Sequence, residues 1–417
     1  MELKRVVVTG LGALTPLANT AVETWEAMKA GKSGIAPITL FDSLTCKTHF
    51  AGEVKNLDIS GVIDRKDANR MDRYAVLALM ASHEALKDSG LDLEKEDRER
   101  IGVIWGTGMG GMMTLECELT AFGRGDGTPR FSPFYIPKAI GNMGGANVSL
   151  HFGLKGISYT TVAACASSSQ SIADAFNYIR LGKAAAILSG GCEAGISFSA
   201  IGGFGSMHAC SLRNESPETA SRPFSKSRDG FVLSEGAACL VLEEMEHALA
   251  RGAKIYAEVV GAGMNADAYH TTAPEPEGKG AARVMQLAME DAGITPAEVD
   301  YINAHGTSTP LGDIAEVRAI KAVWGVDAYR LNISSTKSMT GHMMGGAGAV
   351  EALACVMALK EGIVPPTINH EEGDEDEQID YRLNFTFNKA QQRPLRYALS
   401  NTFGFGGHNA CLLFKHV

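Results

Sequence analysis

The sequence predicts a layered α/β fold, with a weak internal repeat near its middle. Short apolar runs alternate with helical patterns along all 417 residues, and many of the 47 glycines cluster beside those runs, as at tight strand-to-helix turns. A β-branched run followed by a Gly-x-Gly turn occurs twice, as VVVTGLG near the start and as AEVVGAG after residue 255. The repeat indicates either a duplication or two unrelated turns of similar sequence. In the first case an N-terminal half covers 1–254 and a C-terminal half covers 255–417, fused without a linker.

The strands are predicted where β-branched and small apolar residues run together. Runs that are apolar on both faces are typical of strands covered on both sides by helices. The predicted strands lie within 5–12, 101–108, 184–191, 237–244, 255–263 and 299–306.

The helices are predicted from apolar residues three and four positions apart. In the clearest example, Ile172, Phe176 and Ile179 recur at helical spacing, and Gly182 is placed to end the helix. The helical patterns cover about 70–88, 167–181, 280–292, 313–323 and 346–361. An almost wholly acidic run at 371–377 predicts an exposed loop.

Composition narrows the class of protein. The formal net charge of −10 argues against nucleic acid as the main partner. No apolar run approaches the length of a membrane span, the N-terminus has no secretion-signal pattern, and the eight cysteines include no CxxC pair. We therefore expect a protein of the reducing cytoplasm with no membrane partner, no metal site, no cofactor and no disulfide framework. A basic cluster forms either a solvated helix face or a site for an acidic partner, and it consists of Arg65, Lys66, Arg70 and Arg73.

Cys165 is the first candidate for chemistry. It lies in ISYTTVAACASSSQS, where a strand runs into a small-residue turn and a helix follows at once. The free N–H groups and the positive dipole end of that helix favour a thiolate by about 1–2 kcal/mol, or about one pKa unit. The same N–H groups can stabilise an oxyanion on an acylated cysteine. A buried structural thiol is the alternative interpretation.

Two histidines, a lysine and a glycine-rich turn are the other candidates. His305 ends a predicted strand in NAHGTSTPLGD, among small polar residues, and a glycine-rich turn lies between two strands within 400–415. Lys337 and His342 lie in a loop before a long apolar helix, and Glu351 on that helix can pair with a buried ammonium. A soft nucleophile with two imidazoles and no acid pair suits thioester chemistry, in which an acyl group is transferred and an enolate is stabilised.

Five long runs occur in a fixed order along the chain: AACASSSQ, NAHGTSTPLGD, SSTKSMTGHMMGGAGAVE, VPPTIN and SNTFGFGGHN. Over nearly the whole chain they resemble the β-ketoacyl-[acyl-carrier-protein] synthase II family. The resemblance implies a thiolase-like fold, with duplicated α/β halves in a five-layer α-β-α-β-α sandwich, and a homodimer. It also implies an activity in fatty-acid elongation: decarboxylative Claisen condensation of an acyl group with malonyl-acyl-carrier protein, which gives 3-oxoacyl-acyl-carrier protein, carbon dioxide and free carrier.

The resemblance assigns roles to the candidate residues. Cys165 matches the nucleophile that takes the acyl chain from its carrier. His305 and His342 match the pair that hydrogen-bonds the malonyl thioester oxygen as decarboxylation leaves an enolate. Lys337 matches the lysine that orders this site, with Glu351 as its partner.

Further residues match the family's substrate path and carrier surface. Phe403 matches a gating phenylalanine whose backbone N–H joins that of Cys165 in the oxyanion hole. The residues expected along the substrate channel or the acyl pocket are Thr272, Thr307, Thr309, Met109 and Phe204, of which Met109 could equally be ordinary core. The residues expected to dock the acyl-carrier protein are Arg65, Lys66 and Arg70.

Five positions, at three places in the chain, depart from the family pattern and bear on chain length and carrier choice. Ser168, Ser169 and Gln170 follow the nucleophile where a glycine and often a histidine are expected. His208 stands in place of an arginine of the carrier-docking surface, and His408 replaces a small hydroxyl residue after the glycine-rich turn.

Several alternatives stay open at this point. A ketosynthase of a polyketide or polyene pathway would share the same motifs. A coenzyme A-dependent thiolase would need a second cysteine as base, and the nearest candidate, Cys411, is expected in the core. A chain-length-factor subunit would lack the nucleophile that Cys165 provides.

Overall fold

The computed structural model describes residues 3–417. Ten of the fourteen strands described there form one mixed sheet, and the other four form two separate pairs. The strands are β1 (Val6–Leu14), β2 (Ala36–Pro37), β3 (Phe50–Ala51), β4 (Ile101–Gly106), β5 (Ser158–Thr161), β6 (Ala186–Glu193), β7 (Gly236–Glu244), β8 (Ala257–Ala266), β9 (Tyr301–Asn303), β10 (Asn332–Ser334), β11 (Ile363–Val364), β12 (Gln391–Gln392), β13 (Tyr397–Gly404) and β14 (His408–Lys415). The helices are α1 (Ala21–Lys29), α2 (Arg65–Ala68), α3 (Arg73–Ser89), α4 (Met112–Gly123), α5 (Tyr135–Ala139), α6 (Met143–Phe152), α7 (Ser167–Arg180), α8 (Phe198–Ser206), α9 (Met245–Ala250), α10 (Lys279–Ala292), α11 (Pro310–Trp324), α12 (Lys337–Thr340) and α13 (Ala347–Glu361).

The sheet consists of two five-stranded halves that repeat the same layout from the centre outward. Its order is β10-β9-β13-β14-β8-β1-β7-β6-β4-β5, so β1, β7, β6, β4 and β5 correspond to β8, β14, β13, β9 and β10. The halves meet where β1 pairs with β8, antiparallel, with Val6 opposite Val259 and Val8 opposite Ala257. This duplicated arrangement is the thiolase-like layout that the resemblance implies.

Helices cover both faces of each half and produce five layers. Helix α3 packs on β1 and β7, while α10 packs on β8 and β14. Helices α7 and α13 pack against each other and against strands of both halves, and they form the central layer. Helix α13 is buried from Ala347 to Leu359, as expected of a helix that is apolar all round. The close approach of α3 to β1 requires glycine, because a Cβ at Gly12 would lie 2.0 Å from the Ala81 carbonyl oxygen.

The predicted strands and helices are found in the structure, but two of the helices begin three residues from their predicted start. The helix expected from residue 313 begins earlier, at Pro310. The helix expected from residue 70 begins at Arg73, because the side chain of Asp72 accepts a hydrogen bond from the Tyr74 N–H and caps it there. Of the basic residues before it, Arg65 and Lys66 belong to the separate, four-residue α2, and Arg70 follows that helix. The division between residues 254 and 255 stays a prediction. None of the helices described within residues 3–417 is long and apolar enough to cross a membrane.

The acidic run at 371–377 is only partly exposed, so the prediction of a free loop is wrong in part. The side chains of Asp374 and Asp376 are each 15% exposed, because they turn inward and form ion pairs with buried arginines. These arginines are Arg222 and Arg228, on the segment that leads into β7.

Candidate active site

Cys165 lies in a tight turn between β5 and α7. Ala164 adopts a left-handed backbone conformation with φ of 49°, and the Ser167 hydroxyl closes the turn by donating to the Ala164 carbonyl at 2.7 Å. The chain of β13 passes directly above, since a Cβ at Gly404 would lie 3.1 Å from the Cys165 nitrogen. The turn therefore holds the thiol at the start of α7 under the end of another strand.

Burial decides the protonation state of Cys165. Loss of solvation raises the pKa of the thiol to about 12, while the positive charge of Lys337 and the backbone N–H of Phe405 act in the opposite direction. The thiolate expected from the helix dipole alone is therefore wrong for this resting site, because burial outweighs an effect of about one pKa unit. The thiol is protonated at neutral pH, and its sulfur lies 2.9 Å from His342 Nε2.

The two histidines come from the C-terminal half and meet at this sulfur. Their rings are 5.4 Å apart and nearly perpendicular, at 87°. His305 is held through its backbone, because Glu316 accepts hydrogen bonds from the N–H groups of His305 and Gly306 at 2.8 Å each. The backbone N–H of His342 donates to the Val232 carbonyl at 2.7 Å. Burial first, and the Lys337 charge second, lower the pKa of His342 well below its ordinary value.

Burial also lowers the pKa of His305 well below its ordinary value, and the charges of Lys337 and His342 add to this effect. Both rings are therefore neutral at physiological pH. A neutral imidazole carries one N–H donor and one acceptor nitrogen, so the pair can donate hydrogen bonds without supplying a positive charge.

Lys337 and Glu351 form the ion pair that the sequence predicts, and this contact is confirmed. The Lys337 ammonium donates to Glu351 Oε1, and both side chains are almost completely buried. Burial raises the pKa of Glu351 to about 7, while the neighbouring Lys337 opposes the rise. Because an isolated buried charge is costly, each partner keeps the other in place.

The glycine-rich turn between β13 and β14 is as predicted, but the register of its phenylalanines is not. Gly406 and Gly407 turn the chain with positive φ angles of 85° and 75°. The family resemblance assigned the N–H that faces the nucleophile to Phe403, whereas the amide that acts on the Cys165 sulfur belongs to Phe405, two residues later. The Phe403 ring lies 5.5 Å from that of His305.

A cavity of about 380 Å³ connects these residues with the predicted channel threonines. Its lining includes Cys165, both histidines, Thr272, Thr307 and Thr309. The hydroxyls of Thr307 and Thr309 are 3.0 Å apart and hydrogen-bonded to each other. Thr272 is exposed on the loop after β8. Phe403 and Phe405 line the same cavity.

Met109 and Phe204 lie apart from this cavity, in an apolar cluster that adjoins Cys165. The Phe204 ring meets the Phe231 ring edge-on at 5.4 Å, and Phe231 in turn meets His342 at 5.5 Å. The cluster therefore extends inward from the nucleophile, where an acyl chain on Cys165 would need apolar surroundings.

Two buried carboxylates that were not predicted from the sequence organise the site. One is Glu316. The other is Glu193, which accepts hydrogen bonds from the backbone N–H groups of Gly108, Met109 and Gly345 at 2.8, 3.1 and 3.0 Å. Burial raises the pKa of each to about 7. The sequence signal for such a residue is a single acidic side chain in apolar surroundings. Glu193 stands at the end of an apolar strand, and Glu316 stands within an apolar helix pattern.

The predicted carrier-docking residues Arg65, Lys66 and Arg70 are exposed on α2 and just after it. Arg73 does not belong with them. Its guanidinium donates to both carboxylate oxygens of the buried Glu235 at 2.6 Å, so this side chain pairs with a residue inside the protein.

The residues that depart from the family pattern lie in different surroundings. Ser168 is buried, and its hydroxyl accepts the N–H of Ala349 at 3.0 Å, which links the starts of α7 and α13. His208 lines the cavity, is exposed, and has a positive φ of 54°. His408 is exposed at the first position of β14.

The nucleophile and the two histidines also form a set with metal-ligand chemistry. One potential ligand atom from each of Cys165, His305 and His342 lies within 4.8 Å of the others. Sequence spacing gave no sign of this, because the three residues come from distant segments. A thiol with two imidazoles is a donor set that suits a soft divalent cation.

Comparison with known proteins gives a consistent result over the whole chain. The family models described as "Beta-ketoacyl synthase, N-terminal domain" and "Beta-ketoacyl synthase, C-terminal domain" match residues 3–248 and 256–371. A protein of Synechocystis sp. named 3-oxoacyl-[acyl-carrier-protein] synthase 2 is 50% identical over 417 residues, which is 100% of this chain and 99% of the relative. A protein of the same name from Staphylococcus aureus is 48% identical over 99% of this chain and 98% of the relative.

Solved structures agree with these relatives. A β-ketoacyl synthase from Burkholderia phymatum superimposes with a TM-score of 0.91 at 38% identity, covering 99% of this chain and 100% of the other. A type II PKS acyl-carrier protein in complex with its ketosynthase bound to the hexaketide gives a TM-score of 0.90 at 32% identity, with both chains covered completely.

The fold and the grouped cysteine, histidines and lysine define a thiolase-like condensing enzyme, which is an acyltransferase. Matches that cover both halves narrow this class further. The chain belongs to the β-ketoacyl synthase family.

Proposed function

We propose that the enzyme condenses an acyl group held on Cys165 with malonyl-acyl-carrier protein and thereby elongates fatty acids by two carbons. The observation that carries this proposal is the meeting of one thiol and two neutral imidazoles in a single cavity, with 2.9 Å between Cys165 Sγ and His342 Nε2. The full-length relatives named 3-oxoacyl-[acyl-carrier-protein] synthase 2 support the same substrate class.

The first step transfers the acyl group to Cys165. His342 Nε2–H donates a hydrogen bond to the Cys165 sulfur as the sulfur attacks the thioester carbon of the acyl carrier and gives up its S–H proton. A bond forms between the Cys165 sulfur and the acyl carbon, the bond to the carrier sulfur breaks, and that sulfur takes the proton. The N–H groups of Cys165 and Phe405 are the donors that we assign to the oxyanion of the tetrahedral intermediate.

The second step forms the carbon–carbon bond. Loss of carbon dioxide from the malonyl group leaves an electron pair that is delocalised onto the thioester oxygen as an enolate. His305 and His342 donate hydrogen bonds to this oxygen, which neutral imidazoles can do through Nε2–H. The carbanion attacks the acyl carbon on Cys165, whose sulfur leaves and is protonated again. Because decarboxylation generates the carbanion, the step requires no strong base.

Lys337 acts on both steps through its charge. It lowers the pKa of the Cys165 thiol and helps to keep both imidazoles neutral. Glu351 fixes the ammonium in its buried position. The pair thus sets the protonation states that the two steps need.

The remaining predicted residues complete the substrate path in this proposal. Thr272, Thr307 and Thr309 line the route for the carrier's pantetheine arm and the malonyl group. Met109 and Phe204 belong to the apolar cluster that would receive the acyl chain. The cationic side chains assigned to docking of the acidic carrier are those of Arg65, Lys66 and Arg70.

A homodimer fits the surface of the N-terminal half. Strand β5 ends the sheet order, with β4 as its neighbour on one side and an open edge on the other. Apolar side chains near it are exposed on α4 to α6 and after β5, namely Leu119, Phe122, Phe134, Ile136, Leu150 and Val162. A second copy related by a two-fold axis would pair the open edges and cover these side chains. Sedimentation should give a dimer for the wild type and a monomer for Val162→Asp.

A polyketide ketosynthase is the second candidate, since one structural neighbour is a ketosynthase bound to a hexaketide. The identity of 48–50% to the synthase 2 relatives, against 32% to that ketosynthase, favours fatty-acid elongation. A thiolase mechanism is disfavoured because Cys411 is fully buried in the C-terminal core and is absent from the lining described for the cavity.

Intact mass spectrometry tests the proposal. The enzyme is incubated with a long-chain acyl-carrier protein, and in a matched arm with the same acyl group on coenzyme A. Malonyl-carrier is then added to both. We expect an acyl adduct on Cys165 that disappears with release of carbon dioxide and yields a 3-oxoacyl product two carbons longer. Repeated extension without reduction would favour the polyketide pathway, and the absence of a carrier-derived adduct would contradict the proposal.

A further inference from the structure

The turn that carries the channel threonines has an unusual backbone. It joins β9 to α11, and Ser308 between the two threonines adopts a left-handed conformation with φ of 67°. Such a conformation costs a non-glycine residue about 1–2 kcal/mol, so the surroundings must hold it in place. The Ser308 hydroxyl accepts the Arg222 N–H at 3.0 Å, and its carbonyl accepts the Gly230 N–H at 3.0 Å.

The guanidinium of Arg228 binds the same turn through hydrogen bonds to its carbonyl groups. Its Nε donates to the Thr309 carbonyl at 3.1 Å, and Nη2 donates to the Pro310 carbonyl at 2.7 Å. Its Nη1 donates to the Ser225 carbonyl at 2.7 Å, and the side chain is 1% exposed. A guanidinium presents its donors in a rigid fork, so three carbonyls bound at once fix the position of the turn relative to its own segment.

Two carboxylates balance the buried charge of Arg228. Asp313, in the first turn of α11, lies 3.6 Å from Nε and also accepts the Phe224 N–H at 2.8 Å. Asp376 lies 2.9 Å from Nη1 and comes from the acidic run at 371–377, which we term the acidic strap. Asp374 of the same strap accepts hydrogen bonds from the Ser227 N–H and hydroxyl at 2.8 and 2.6 Å.

We propose that Arg228, braced by the acidic strap, is a positioning residue that sets the Thr307 and Thr309 hydroxyls for the pantetheine arm of the carrier. Arg228 itself is not among the residues described as lining the cavity, and it acts through the carbonyls of Thr309 and Pro310, which are. This inference deepens the proposed function and rests on it for the identity of the arm.

The proposal predicts an effect on substrate binding that differs from loss of stability. Arg228→Gln removes the charge and most of the fork, so the turn relaxes and the KM for malonyl-carrier rises about tenfold, the loss expected for one good hydrogen bond to a charged group. Alkylation of Cys165 by iodoacetamide keeps its wild-type rate, because the nucleophile is untouched. Arg228→Lys keeps the charge but not the fork and recovers part of the loss.

Two further variants make the test decisive. Asp376 lies at the surface end of the network, so we expect Asp376→Asn to fold. Its KM should rise about two- to threefold, with kcat unchanged, because the ion pair is weakened. Arg251→Gln is the matched control, because Arg251 forms a comparable ion pair with the buried Glu243 at 2.6 Å. Arg251 follows α9 and Glu243 lies on β7, so this pair does not contact the turn. The control should lower the melting temperature and leave the KM unchanged.

The readouts separate this inference from the proposed function. Protection of Cys165 from iodoacetamide by free pantetheine needs no turnover, and we expect Arg228→Gln to require about tenfold more pantetheine for half-protection. The inference would be overturned if Arg228→Gln showed both wild-type protection by pantetheine and wild-type KM. If Arg228→Gln does not fold, the same result for Asp376→Asn would overturn it. A fall in kcat alone would overturn it as well. If wild-type enzyme fails to condense, the proposed function fails, and the protection assay still decides the role of Arg228.

Discussion

The two halves of the sheet share one layout but end differently. In the N-terminal half, the outermost strand β5 is exposed or half-buried and leads through a tight turn to Cys165 and α7. In the C-terminal half, the corresponding β10 is fully buried. The segment between β10 and α13 contains Lys337, at the start of α12, and His342. One topology therefore places a nucleophile from one copy opposite charge-setting and hydrogen-bonding groups from the other. Both β5 and β10 are terminal strands of the sheet, but β10 is buried whereas β5 is exposed or half-buried.

The largest effect expected from breaking this division of labour is the loss of the nucleophile. Cys165→Ala should abolish the acyl adduct in intact mass spectra, because the cavity lining described here contains no other thiol. The histidine pair stays intact, so the variant should still release carbon dioxide from malonyl-carrier. An adduct of the same mass on the variant would show that another residue is the acyl acceptor.

The reciprocal change removes a donor from the other half. His342→Ala should still be acylated by excess acyl carrier, while condensation falls by about 10²–10³-fold, as when one oxyanion donor is removed elsewhere. Acylation and product formation are measured on the same sample by mass spectrometry. Normal turnover would remove His342 from the second step.

Loss of the buried cation should affect both halves. Lys337→Met leaves Glu351 uncompensated and should cost about 3–5 kcal/mol of the free energy of unfolding, measured in urea. The double variant Lys337→Met with Glu351→Leu should recover much of that stability but not the activity. Recovery of activity in the double variant would mean that the charge of Lys337 has no part in the chemistry.

The smallest effect concerns the pH dependence of Cys165. With its pKa raised to about 12, the thiolate fraction rises about tenfold for each pH unit and should not level off below pH 10. A free cysteine levels off near pH 9–10 because its pKa is about 8.5. The alkylation rate of wild type from pH 7 to 10 tests this, and Lys337→Met should be slower throughout because the charge that lowers the pKa is gone. A plateau near pH 8 would contradict a buried, protonated thiol.

Periodicity predicted the layered α/β fold, and local motifs singled out candidate site residues, whereas the duplicated thiolase-like layout and the residue roles came from the family resemblance. The layered fold follows from the alternation of apolar runs with helical patterns. Cys165, His305 and Lys337 stand out because reactive side chains adjoin turns of small residues. The pairing of Lys337 with Glu351 was foreseeable, since a cation among apolar residues needs a partner.

The contacts that sequence could not supply are those between distant segments. The pairing of Arg73 with Glu235 makes a basic residue structural, although its neighbours in sequence are exposed. The hold of Asp376 on Arg228 joins residues whose proximity no spacing reveals. The pKa of Cys165 depends on burial, which local sequence underestimated against the helix dipole.

The turn around Cys165 has a consequence for the enzyme between catalytic cycles. Oxidation of cysteine by peroxide proceeds through the exposed thiolate. A sulfur that is protonated and 4% exposed offers neither the charge nor the access that this reaction requires. The empty enzyme should therefore tolerate oxidative stress that would inactivate an enzyme with a permanently ionised cysteine.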